Sequence, residues 1–287
     1  LILMLAEAPL WIQLTGALVL GLIVGSFLNV VILRLPRRLE HAWQAEAREA
    51  LGLETDSGPA PPGLVIARSH CPACGVLIRA QDNVPLLSYF LLRGRCRQCG
   101  AGISLQYPLV EAATGLATAL VVWRFGTGWE AAAALALTWT LIPLAGIDFR
   151  TQLLPDKLTL PLLWLGLLLS LWPWRVAPDE AIVGAAAGYL SLWSVYWSFK
   201  LLTGKEGMGY GDFKLLGALG AWFGAFAILP IILLSSVVGA LIGGALILLR
   251  GRDSQVPMPF GPFIAMAGLV YLVFDETLRR LLPIFPG

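Results

Sequence analysis

Two kinds of side chain in this sequence have the types and spacing to do chemistry: acids bordering long apolar runs, and cysteines in pairs. Asp148 follows 17 residues without a charge, 131–147, and Asp212 ends the Gly-alternating stretch GKEGMGYGD. Glu111 stands near the start of a further apolar run, 105–124. Ionisable residues beside hydrocarbon cost a few kcal/mol, so such acids are functional candidates by default. Two carboxyl groups that share one proton can hydrolyse an amide: one acts as base toward water while the other donates to the carbonyl, and the pair titrates as a unit. The cysteines Cys71, Cys74, Cys96 and Cys99 read C-x2-C, 21 intervening residues, C-x2-C, each pair followed by Gly. Two such knuckles complete a tetrahedron of thiolates around one ion, expected to be zinc. With every position filled by protein the site is structural, holding together a segment with little apolar core of its own.

What is scarce excludes other chemistries. His41 and His70 are the only histidines, and both fall in the long polar segment 34–107, so no H-E-x-x-H metal site or membrane-embedded Ser-His pair can be assembled. Ser26, in the first apolar run, has no histidine there to activate it and is read with Asn29 as a hydrogen-bonding residue between helices. With 20 Lys and Arg against 18 Asp and Glu the net charge is only +2, without the basic surplus that nucleic-acid binding requires. Cysteines gathered into knuckles point to metal ligation in a reducing compartment more than to secretory disulfides.

These residues must be positioned by membrane helices. Of the 287 residues, 57% are apolar and 13% charged, against roughly 45–50% and about 25% in soluble domains. Runs of about 20 apolar residues, the length of a bilayer crossing, fall at 10–33, 105–124, 131–147, 158–174, 180–199, 213–228, 230–249 and 260–282. The expected fold is an all-α polytopic membrane protein of about eight transmembrane helices, with a small cytoplasmic zinc-knuckle domain between spans one and two. Its parts are a first span in 1–33, the knuckle domain in 34–104 and a seven-span membrane domain in 105–287. The first run is too long for the core of a secretory signal and is preceded by Glu7, not a basic segment. If 34–107 is inside, that side carries sixteen Lys and Arg against four outside, so the loop is cytoplasmic and both termini lie outside. Residues 40–51 have helix-forming content, and TDSGPAPPG at 55–63 reads as a linker.

Topology then brings the acids together. Span three runs inward and ends at Asp148; span six leaves from the inside and begins at Asp212. The two carboxylates are expected at one face and one depth. Gly207, Gly209 and Gly211 predict an unwound segment lining a water-filled cavity, where irregular backbone is tolerated at membrane depth. Its free edge groups would pair with an extended substrate.

GYGD at 209–212 resembles the GxGD motif of intramembrane aspartyl proteases, and GSFLNVVILRLP at 25–36, CPACG, CRQCG, YPLVE at 107–111, LLPD and GKEGMGYGDFKLLGALGAW resemble bacterial type IV prepilin peptidases over nearly the whole chain. The resemblance implies an inner-membrane enzyme that cuts the basic leader from type IV prepilins and type II secretion pseudopilins at the cytoplasmic face, with Asp148 and Asp212 catalytic and Gly209 and Gly211 as scaffold. It also implies methylation of the new N-terminus from S-adenosylmethionine, since the family's longer members carry the same cysteine loop. No G-x-G-x-x-G turn follows a strand here to hold the methyl donor, so that activity and that cofactor rest on resemblance alone. Phe149 and Arg150 stand where relatives often carry small or acidic residues.

Plainer readings compete at each position. Asp148 could cap a helix turn or pair with Arg150; Asp212 could cap the start of span six; Asp156 rivals Asp148 but is placed by Pro155 and Lys157 at a helix start. Glu111 is read first as structural. Arg37 and Arg38 are topogenic and face anionic lipid. An ion-coupled transporter, using the same acids for protons, is the alternative function. A membrane anchor with a partner-binding zinc domain is a third, which leaves GYGD without a purpose. The expected partners are prepilin and pseudopilin substrates and the lipid bilayer, and the oligomeric state is left open.

Overall fold

Apolar runs in lipid must satisfy every backbone polar group internally, and here they do so as helices. A computed structural model describes residues 8–53, 58–172, 174–250 and 258–281. Glu7, the linker's first residues at 55–57, Pro173, Arg252 and the last residue expected in the eighth span lie outside the described residues. The α-helices are α1 (Leu10–Ala50), α2 (Leu87–Leu91), α3 (Gln106–Phe125), α4 (Trp129–Thr151), α5 (Asp156–Leu169), α6 (Pro178–Thr203), α7 (Tyr210–Phe223), α8 (Ile228–Arg250) and α9 (Gly261–Leu281). Among the described residues there is no strand, only two isolated bridges, His70 to Leu77 and Arg95 to Gly102.

Each of the eight expected spans is matched by a helix, and five of these are long and apolar enough to cross a membrane: α1, α3, α4, α8 with the short turn before it, and α9. The chain is therefore an all-α polytopic membrane protein. Helices α5 and α7 have only 14 residues each, about 21 Å at 1.5 Å per residue against a hydrocarbon core of about 30 Å. Helix α6 has the length, but Ser, Tyr and Trp dilute its apolar residues.

The first helix departs most from its expected bounds. It runs 41 residues without interruption through Pro36, joining the 10–33 span and the 40–51 helix. A proline inside a helix removes one hydrogen bond and costs about 3 kcal/mol. Burial of Leu35 and Leu39 on either side and the bonds from Arg34 and Arg38 to carbonyls of 61–68 oppose that cost.

By internal contacts the chain divides into two units, 1–143 and 144–287. In the first, α1 and α3 meet along a seam of small residues. A Cβ at Gly21 would lie 2.7 Å from the Thr114 carbonyl oxygen, and one at Gly25 would lie 2.8 Å from Glu111 Cα. Such contact lets polar groups bond across helices: Asn29 Nδ2 donates to the Tyr107 carbonyl at 3.1 Å, in the bridging role expected of it. In the second unit α7 is the core. Of its residues 212–223 only Lys214 is not buried, as expected of a helix apolar on all sides. Trp222 Nε1 donates to the Leu162 carbonyl at 2.9 Å, tying α7 to α5.

Candidate active site and metal centre

Asp148 lies one turn before the end of α4. Gln152 adopts a left-handed backbone (φ 56°) and donates to the Asp148 carbonyl at 2.9 Å, which ends the helix. The Asp148 side chain is buried, while Phe149 and Arg150 are exposed; positions two apart do not face one another on a helix. Its Oδ2 accepts the backbone N–H of Gly261 at 3.0 Å. Gly261 opens α9, so the acid faces one of the free amides, and the positive dipole end, of a 21-residue helix.

Asp212 reaches the same place from another direction. Residues 204–209 are non-helical, as the alternating glycines predict, and α7 begins at Tyr210 with Gly209 extended before it. Asp212 therefore sits in the first helical turn, not at the cap. Its side chain is buried, and its Oδ1 has no hydrogen-bond partner. Gly211, beside Asp212, and Gly261, which faces Asp148, both pack on Leu154, so α4 and α7 bring the two carboxyl groups to one locality within the second unit. A Cβ at Gly211 would lie 2.7 Å from Leu154 Cβ, and a Cβ at Gly261 would lie 2.7 Å from Asp148 Oδ2 and 3.1 Å from Leu154 Cδ1. Glycine is thus sterically required at 211, whereas a Cβ at Gly209 would meet only the Gly211 nitrogen at 4.0 Å.

The GYGD segment is held from α6. Lys200 Nζ bonds Glu206 Oε1 at 2.8 Å and the Tyr196 hydroxyl at 3.2 Å, and Tyr196, Tyr210 and Phe213 pack with ring centroids 5.2–5.6 Å apart. Asp156, the rival acid, is exposed at the first residue of α5 and binds Lys214 Nζ at 2.7 Å. That is a surface ion pair.

In the first unit the four cysteine sulfurs lie within 4.8 Å of one another, positioned to bind a metal ion. The two knuckles are built alike. The Cys71 amide donates to the Val76 carbonyl at 2.9 Å and Gly75 to Cys71 at 2.9 Å; Cys96 donates to Ala101 at 2.8 Å and Gly100 to Cys96 at 2.9 Å. Gly75 and Gly100 have φ of 71° and 72°, a conformation glycine adopts without a Cβ penalty. Amides of Cys74 and Ala73 hold the Cys71 thiol down to about 6. The Ala101 amide also pulls Cys99 down, but hydrogen bonding with Cys74, burial and the thiols of Cys96 and Cys71 outweigh it and leave Cys99 at about 11. One thiolate in so tight a cluster disfavours the next, and a cation at its centre removes that penalty. Arg97 clamps Asp82 beside the second knuckle at 2.6 Å and holds its carboxyl below the usual carboxylate range.

Glu111 is buried in α3. Its Oε2 accepts the Leu86 backbone N–H at 2.8 Å, and its backbone packs against Gly25 of α1. Several participants escaped sequence reasoning: Gly261, 113 residues from the acid it faces; Arg34, whose guanidinium binds the carbonyls of Gly63 and Ala67 at 2.7 and 2.8 Å; Leu86; and Tyr196 and Lys200 of α6. Pro262 does signal a helix start beside Gly261, but nothing local reveals which acid that start meets.

The sequence matches two family descriptions in succession, Bacterial Peptidase A24 N-terminal domain over residues 19–125 and Type IV leader peptidase family over residues 135–244. It is 53% identical over 284 residues to a prepilin leader peptidase/N-methyltransferase of Pseudomonas aeruginosa, covering 99% of this chain and 97% of the relative. Proteins of the same name from Xanthomonas campestris pv. campestris and Aeromonas hydrophila are each 52% identical, covering 90% of both chains in the first case and 98% and 97% in the second. No solved structure matches. These relatives favour peptide processing over the transporter alternative. Matched on both halves and along almost its entire length, the chain belongs to the type IV leader peptidase family.

Proposed function

We propose that this protein is an aspartic endopeptidase of the bacterial inner membrane that removes the basic leader of type IV prepilins and type II secretion pseudopilins at the cytoplasmic face, and methylates the new N-terminus. The observation that carries the reading is the orphaned Oδ1 of buried Asp212 beside an Asp148 oriented by the Gly261 amide. A buried carboxyl oxygen without a partner costs roughly 1–3 kcal/mol, and a water donating to it, or a substrate carbonyl accepting its proton when the group is protonated, removes the cost. In the reaction, one carboxylate takes a proton from water as its oxygen attacks the scissile carbonyl carbon, and the protonated partner donates to the carbonyl oxygen. The resulting tetrahedral diol collapses, the C–N bond breaks, and a proton passes to the departing amine. The dyad ends with the single proton it began with. Gly211 lets α7 approach Leu154 closely enough to keep Asp212 in register, and Gly209 gives the extended backbone before it.

The four cysteines fit a structural zinc ion. Metal–thiolate bonds of about 2.3 Å in a tetrahedron put sulfurs about 3.8 Å apart, and Cys71 Sγ and Cys99 Sγ are 3.8 Å apart. We assign 34–104 as a cytoplasmic domain held by that ion, 1–33 as the first span, and 105–287 as the membrane domain carrying the acids, with eight crossings in all. S-adenosylmethionine is the methyl donor implied by the relatives' name. The described residues contain no Gly-rich turn between strand and helix of the kind that holds a dinucleotide, and no residue is assigned to the donor. Incubating the purified protein with a peptide of basic leader, Gly and hydrophobic helix, then weighing the products, tests the reading. Cleavage after Gly in micelles without a gradient supports it; an intact peptide rejects it.

A further inference from the structure

The segment VPLLSYFLL at 84–92 is apolar except for Ser88 and the Tyr89 hydroxyl, yet it belongs to the stretch between α1 and α3 that also carries the metal knuckles. Nine residues cannot span a bilayer; a short apolar run is the length of a re-entrant or interfacial element. Its depth is fixed by one contact set. Leu86 donates its backbone N–H to Glu111 of α3, and Glu111 packs against Gly25 of α1, where an added Cβ would lie 2.8 Å from Glu111 Cα. Gly25 lies nine residues before Arg34, the first charged residue after the apolar run of α1, which is about 14 Å along the helix. The loop therefore dips well below the level of Arg34, alongside the apolar part of both helices.

Non-helical backbone at such depth survives only if its polar groups are satisfied within the protein, and these are. The Val84 amide donates to Ser88 Oγ at 2.9 Å, Ser88 to the Val84 carbonyl at 3.1 Å, Phe90 to Leu86 at 3.2 Å and Leu92 to Ser88 at 2.9 Å. Leu87 donates to Pro85 at 2.6 Å, closing a γ-turn on Leu86, whose φ of 58° and ψ of −52° are strained for a residue with a Cβ. The Glu111 bond holds that turn in place. With the amides of Val84, Leu86, Leu87, Ser88, Phe90 and Leu92 engaged, the segment turns apolar side chains outward: Phe90 is 70% exposed and Leu91 71%. Exposed arginines Arg79, Arg93 and Arg95 flank it, suited to anionic headgroups. A second apolar tip, Val65 and Ile66 at 82% and 94% exposure, is held near the level of Arg34 by the bonds from its guanidinium to Gly63 and Ala67.

We infer that residues 84–92 insert into the leaflet facing the knuckle segment, pinned by Glu111, with Val65 and Ile66 as a shallower second contact, so that the metal-binding segment is seated on lipid. The test places a photoreactive phenylalanine analogue at Phe90, and separately at the exposed Gln98 of the second knuckle, in the full metal-loaded chain in phosphatidylethanolamine–phosphatidylglycerol nanodiscs. Illumination should yield phospholipid adducts at Phe90 and none above background at Gln98. Glu111→Ala, checked for retained metal, should lower the yield at Phe90. Equal yields at the two positions, an absence of lipid adducts at Phe90, or capture of an added prepilin peptide there in place of lipid would each overturn the inference.

Discussion

The backbone N–H of Gly261 meets Asp148 Oδ2 at 3.0 Å, and a Cβ at the same residue would stand 2.7 Å from that oxygen. One glycine thus supplies a donor to the acid and leaves the room the acid occupies. Gly261→Ala keeps the donor and removes the room. The methyl group must push the carboxylate away, and displacing a reacting group by about 1 Å costs on the order of 10²-fold in rate. Cleavage kinetics should show the loss mainly in kcat, with thermal unfolding near that of the unaltered protein. Full activity in this variant would remove Gly261 from the site.

Exchanging either acid for its amide asks whether both are needed. Asp148→Asn and Asp212→Asn preserve shape but cannot pass a proton between water and carbonyl, a role worth roughly 10²–10⁴-fold. Each variant should fold, keep its metal and lose cleavage by that factor or more. If they act as a unit, the double variant should be little worse than either single one. Substantial cleavage by either single variant, or losses that multiply in the double, would break the dyad apart.

How far these residues could be read in advance depends on whether their signal is local. Asp148 and Asp212 are legible because a charge next to 17 uncharged residues or after alternating glycines is conspicuous on the chain itself. The four cysteines are legible because their spacing is their geometry: each C-x2-C-x-Gly closes the same turn. Gly261 is illegible because its partner is 113 residues away and α9 has no local mark of what its first amide faces. The fusion of span one with the 40–51 helix was hidden by Pro36, where local preference argues for a break and tertiary bonds from Arg34 and Arg38 decide otherwise. The apolar 84–92 run was masked by its setting between knuckles, and only the Glu111 contact gives its depth.

Acidification separates the metal centre from its nearest ion pair. The Arg97 guanidinium lowers the folded-state value of Asp82, so that pair stabilises the fold above the unfolded carboxylate range, near 3.9, and is lost only as pH falls through the lower folded value. Cys71, at about 6 before any metal binds, goes lower once its thiolate ligates a cation. Metal release followed by atomic emission during titration should therefore set in on acidification as the thiolates take up protons, and Arg97→Ala should leave its midpoint nearly unchanged. Cys71→Ser with Cys74→Ser should abolish metal retention while the helices of 144–287 keep their hydrogen-exchange protection. Metal retained without both thiols would refute the four-sulfur site.

The position of Asp212 ultimately depends on how closely α7 approaches α6. Gly184 and Gly220 pack backbone against backbone, and a Cβ at Gly188 would overlap the Leu216 carbonyl. Neither contact leaves space for a methyl group. Small residues at such a crossing let membrane helices gain packing that hydrophobicity alone cannot supply between apolar surfaces. Gly184→Ala must therefore force the helices apart, at a cost of about 1–3 kcal/mol for overpacking. The expected result is a lowered unfolding temperature in detergent together with reduced cleavage per folded molecule, since α7 carries Asp212 with it. Unchanged cleavage despite a lowered unfolding temperature would show that the acid is held by the contacts of Tyr210 and Glu206 with the far end of α6, at Tyr196 and Lys200, and not by the glycine crossing.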